Sequence, residues 1–138
     1  MNVITIIYPV LAQVLLVLLL FILLGKRKFS AAKARTVDLK EAAMNNKAWP
    51  KDVVLVSNNI ANQFEVPVLF YVIALVCYLT NNVNIVAVTC AWVFVVARYC
   101  HAYIHVTQNV VPIRLRFFLT SLVSVLIMFV TTLIALLL

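Results

Sequence analysis

Apolar residues fall into four long runs along the chain, at about 4–24, 53–80, 83–106 and 117–138, with polar stretches between them. Each run has roughly the 20 residues that a helix needs to cross a hydrocarbon core about 30 Å thick. The pattern predicts an all-α integral membrane protein, a four-transmembrane-helix bundle that forms one domain over residues 1–138. The second run is too long for the core, since 28 residues at the helical rise span about 42 Å. Its first turns, with Ser57, Asn58 and Asn59, are expected to protrude, and its lipid-level part to begin near Ile60. Trp49-Pro50 marks its start, because tryptophan favours the membrane interface and proline suits a first helical turn. Loop 25–52 has a helix-favouring middle that is too short to be stable alone, and 107–116 is read as a second loop.

The polar residues inside the spans form two stripes. Asn58, Asn62 and Glu65 are spaced i, i+4, i+7, and Arg98, His101 and His105 are spaced i, i+3, i+7, so each set shares one helix face. Counted from the nearest polar boundary, Glu65 lies roughly 10 Å deep and Arg98 roughly 12 Å deep. Ionisable residues at such depth normally face the bundle and are paired, so a Glu65–Arg98 ion pair is expected. Pro67 frees the carbonyl of Gln63; it either bends the helix and widens the space beside Glu65 or is simply tolerated. The stripes admit two readings, polar glue between helices or a ligand site open at one membrane face. A through-going path is disfavoured, because the half of the bundle beyond them is nearly apolar, whereas transport paths carry polar groups at several depths.

Composition supports the membrane assignment, with 66% hydrophobic residues against about 45–50% in ordinary soluble domains. The net charge of +7 is concentrated: loop 25–52 holds Lys26, Arg27, Lys28, Lys33, Arg35, Lys40, Lys47 and Lys51, and Arg114 and Arg116 lie in 107–116. By the positive-inside rule both loops are cytoplasmic and both termini non-cytoplasmic. Charge so placed orients the chain and attracts lipid headgroups, which argues against a nucleic-acid partner. The basic run 26–28 after the first span, and the absence of a charged segment before it, distinguish that span from a secretory signal. Cys77, Cys90 and Cys100 all sit within spans as small apolar residues, and nothing has metal-ligand spacing.

Four short spans, a basic first loop, Asn62-x-x-Glu65-x-Pro67 followed by Leu69-Phe70, and Arg98-x-x-His101-x-x-x-His105 with Pro112-x-Arg114 together resemble the MAPEG family. These are membrane-associated proteins in eicosanoid and glutathione metabolism, and the likeness covers essentially the whole chain. It implies a homotrimer that holds glutathione between subunits at the cytoplasmic side. Asn62, Glu65, Arg98, His101 and His105 would then contact the tripeptide, and Arg114 would be the catalytic residue that stabilises the thiolate. Lys26 or Arg27 matches a first-span cation that reaches in from a neighbouring subunit. The second substrate would be a lipophilic small molecule arriving through the membrane.

Two positions depart from the family pattern. Asn58 stands where characterised enzymes commonly carry arginine, leaving Arg116 or Lys51 as substitutes, and His105 stands where tyrosine is frequent. The expected function is therefore a glutathione-dependent transferase or peroxidase for lipophilic electrophiles. Its alternatives are a non-enzymatic lipid-binding or scaffold member of the same fold and a small transporter.

Overall fold

A computed structural model describes all residues 1–138. The chain is all helix and turn. A 3-10 turn at Val3–Ile6 leads into α1 (Ile7–Lys33), followed by the short α2 (Leu39–Ala42), α3 (Lys51–Gln63), α4 (Val66–Leu79), α5 (Ile85–Val106) and α6 (Val111–Leu137). Four stretches are long and apolar enough to cross a membrane: Val3–Lys33, Lys51–Leu79, Ile85–Val106 and Val111–Leu137. The four expected spans are present, and two of their boundaries need correction. The first helix does not stop at 24 but runs on to Lys33, because 25–33 lacks a strong breaker once Gly25 is tolerated. The fourth begins at Val111 rather than 117, with Pro112 in its first turn where a missing N–H costs nothing. Arg114 and Arg116 are thus helical, and the second loop shrinks to 107–110.

The second span is interrupted. Phe64 and Glu65 leave the helix, with Phe64 N–H turning back to the Ala61 carbonyl, and α4 restarts with Pro67 in its first turn. Pro67 is thus not accommodated inside a continuous helix but stands at the start of a new one. Helix ends elsewhere use left-handed residues that are not glycine, since the only glycine lies inside α1: Arg35 (φ 54°), Asn81 (φ 55°) and Asn109 (φ 51°). At Arg35 and Asn81 the following residue closes a Schellman motif, Thr36 N–H to Ala31 O and Asn82 N–H to Cys77 O.

Each of the first three spans buries one stripe of near-heptad spacing: Ile6, Pro9, Gln13, Leu16, Leu20; Val53, Val56, Ile60, Gln63, Pro67, Phe70, Ala74, Cys77; and Ala87, Ala91, Phe94, Arg98, His101, His105. Such spacing keeps one seam facing its neighbours in a left-handed bundle. The stripe on the second span holds its phase across the break. α5 and α6 pack most extensively, helped by buried Ala87, Ala91, Ser121 and Ser124, small residues that let membrane helices approach closely.

The apolar core is in two parts. One, towards the 80–84 turn, contains Ile6, Phe70, Ala74, Cys77, Phe94, Val95, Val125 and Met128; Phe70 and Phe94 stack there at 4.3 Å. The other, towards the basic loop, contains Leu16, Leu20, Val56, Ile60, Ala102 and Val106. Between them each contributing span passes through a buried polar residue, Gln13, Gln63 or Arg98. α6 adds nothing to the second cluster.

At the basic-loop end, Arg27 donates to the carbonyls of Asp52 (2.8 Å) and Val106 (3.1 Å), joining α1 to the start of α3 and the end of α5. Lys26 beside it is exposed and makes no such bond. Arg27→Ala is expected to cost about 1–2 kcal/mol, the lower range for bonds from a charged donor at a half-open site. Arg27→Lys should recover little, because a point charge cannot fork between two carbonyls. Lys26→Ala should stay near neutral. Melting of the detergent-solubilised variants checks the ranking, and equal melting of Arg27→Ala and Lys26→Ala would contradict it.

Candidate functional site

α5 carries the centre of the polar layer. Arg98 is completely buried, and its only hydrogen bond within the chain runs from Nη2 to the Asn62 carbonyl at 3.3 Å. Its Nε and Nη1 are buried with no partner. Asn62 sits in the last turn of α3, where the coming break tightens the helix, so its carbonyl faces α5 while its side chain donates back to the Asn58 carbonyl at 3.2 Å.

One turn further along α5, His101 meets α6. Its Nδ1 lies 3.0 Å from the Arg114 carbonyl, which can only accept, so Nδ1 carries the proton and Nε2 is left as an acceptor in the neutral ring. Nε2 is buried without a partner, as is Nδ1 of His105, whose ring stands edge-on to His101 at 5.7 Å. The Arg114 guanidinium is half-buried and held by Asn109, its Nη1 donating to Asn109 Oδ1 at 2.8 Å. The left-handed backbone of Asn109, whose N–H bonds to the Ile104 carbonyl at 2.7 Å, aims that oxygen at α6.

Asn62, His101 and Arg114 line a pocket of about 120 Å³, with Val111, Leu115 and Phe118 as its apolar side. Arg98 contacts this group through Asn62 and His105 through His101. Five of the residues singled out in the sequence therefore converge. Glu65, Lys26 and Arg116 do not: all three are exposed in the single chain and make no side-chain hydrogen bond. The expected Glu65–Arg98 ion pair is not made. The i, i+4, i+7 arc assumed an unbroken helix, whereas Glu65 lies in the break at Phe64–Glu65 with its side chain exposed.

The inward polar face of α3 is instead formed by Asn59 and Gln63. Gln63 Nε2 donates to Asn59 Oδ1 at 2.9 Å, and Gln13 Nε2 on α1 donates to Gln63 Oε1 at 3.0 Å. This triad was missed from the polar spacing, yet a signal was present: Gln13 and Gln63 each occupy a stripe position in an otherwise apolar seam. Asn109 and Phe118 left no comparable trace, because their roles depend on where α6 starts.

A bundle of four helices long and apolar enough to span a bilayer, with a buried guanidinium and a small pocket shared by three of them, defines an integral multi-pass membrane protein. The MAPEG family profile matches residues 6–134, nearly the whole chain, and the protein belongs to that family. No curated protein and no solved structure gives a significant match.

A buried guanidinium left with open donors weighs against the stability of the lone chain. Arg98→Met, similar in length and apolar, is expected to melt no lower than the parent in detergent. A variant melting several degrees lower would mean that the guanidinium is fully paired in the folded protein.

Proposed function

We propose that this protein is a glutathione-dependent transferase or peroxidase acting on lipophilic electrophiles. The observation that carries the reading is Arg98, with two unpartnered buried donors behind a pocket framed by Asn62, His101 and Arg114. Glutathione brings two carboxylates, and a forked guanidinium is the side chain best matched to a carboxylate in a poorly hydrated site. Arg114, fixed by Asn109 at the pocket wall, is the cation that would favour the thiolate over the thiol. The thiolate then attacks an electrophilic carbon, forming the C–S bond as a leaving group departs or an epoxide opens. With a hydroperoxide it attacks oxygen, the O–O bond breaks and the alcohol is released. The resulting sulfenic acid condenses with a second glutathione to give disulfide and water.

The pocket within one chain is smaller than the roughly 300–1,000 Å³ of ordinary ligand sites. Glu65 and the interrupted backbone beside it are also exposed at bilayer depth, where bare carboxylates and irregular backbone persist only against protein or an aqueous cavity. Both features favour a homotrimer in which a neighbouring subunit covers this face, with Glu65 available to the glutathione ammonium and Lys26 and Arg116 free to reach the anion. The positive-inside pattern supports a site on the cytoplasmic side and both termini on the other. A second reading, a lipid-binding or scaffold role without chemistry, draws on Asn58, which is exposed and supplies no guanidinium. The transporter reading is weakened by the apolar cluster that closes the bundle beyond Arg98.

Titrating detergent-purified protein with glutathione while following thiolate ultraviolet absorbance tests the proposal. The parent should bind and show the thiolate signal; Arg114→Ala should still bind but lose most of that signal. Absence of binding at millimolar glutathione would leave the lipid-binding reading.

A further inference from the structure

The amide triad on the other side of α3 from the pocket has no part in the chemistry above, yet its placement is specific. Gln13 and Asn59 are fully buried and Gln63 is 1% exposed. Gln63 is the last residue of α3 and directly follows Asn62, whose carbonyl meets Arg98 and whose side chain lines the pocket. In a continuous helix the Gln63 carbonyl would receive the N–H of residue 67, but that residue is proline and has none. The end of α3 therefore lacks a backbone restraint just where the site needs a fixed carbonyl. The two amide bonds, from Gln13 to Gln63 and from Gln63 to Asn59, tie this turn to α1 and to the preceding turn of α3.

We propose that Gln13, Gln63 and Asn59 are positioning residues, an amide ladder that locks the last turn of α3 so that Asn62 meets Arg98 and the pocket keeps its shape. The inference rests on the glutathione reading for its functional consequence, while the restraint itself does not. Gln13 is the informative member because it lies on a different helix and lines no part of the pocket. The side-chain hydrogen bond of Gln13 reaches the site only through Gln63. Asn59 Nδ2 and Gln13 Oε1 end the ladder without partners, so the bonds that remain are the two that hold the turn.

The experiment compares the full-length parent, Gln13→Met and Gln63→Met by hydrogen–deuterium exchange over residues 60–68 and by glutathione titration well below the melting temperature. Gln13→Asn, one methylene shorter, serves as a milder variant should Gln13→Met fold poorly. In Gln13→Met, exchange across 60–68 is expected to accelerate and glutathione binding to weaken, each by about 3- to 20-fold, the span of a single interhelical hydrogen bond in a membrane. The double variant should be no worse than Gln63→Met, because both changes break one ladder. Parental exchange over 60–68 in every Gln13 variant overturns the proposal, whatever glutathione does. Faster exchange with parental glutathione affinity overturns it too, reducing the ladder to helix glue. If the parent binds no glutathione, the glutathione reading and with it the positioning role fall, while exchange still reports on the restraint.

Discussion

Burying Arg98 is the constraint around which the bundle is arranged. A guanidinium at bilayer depth cannot be deprotonated away or left in hydrocarbon, so polar atoms have to be brought to it. The chain does this by interrupting its second span, which releases the Asn62 carbonyl towards α5. Interruption in turn exposes backbone and loosens the turn before it, and Pro67 ensures that the helix does not simply reseal. The apolar core divides at the same level, one cluster on either side of the polar layer. Arg98, the break and the divided core are thus one feature seen from three helices.

Much of the fold was legible in the sequence because a bilayer imposes a coarse rule: runs of about 20 apolar residues with basic loops between them. Number, order and approximate extent of the spans follow from it. The ends of the first and fourth spans do not, because lysine and arginine are good helix formers that continue a helix into water without a change of conformation. Residues 26–33 and 111–116 read as loop by polarity and fold as helix.

The site was legible in part. Arg98, His101 and His105 lie on an unbroken helix, where spacing alone places them on one face. Asn62 converged with them only because it precedes the break, and Glu65 failed to because it is inside the break. Helical spacing resumes in phase beyond the interruption but does not predict the conformation of a residue inside it. The near-heptad seam was the better guide on the second span, since it records which side chains are sealed rather than which are polar. It keeps its phase from Val53 to Cys77 and passes through Gln63 and Pro67 on the way.

The absence of α6 from the loop-side cluster follows from the same division of labour. Had the first turns of α6 packed as apolar ridges against Val56 and Ala102, the space beside His101 would have been filled by aliphatic side chains and would have gained packing energy. Instead the helix is joined there by polar links, His101 to the Arg114 carbonyl and Arg114 to Asn109. Such bonds are directional and few, so they fix the orientation of α6 while leaving a gap between helices. Along the rest of its length α6 buries Val125, Met128 and Thr132, the last of these with its hydroxyl 3.1 Å from the Cys77 sulfur. One helix therefore does two jobs along its length. Its far half closes the bundle, and its near half holds a pocket open beside His101 and Asn62.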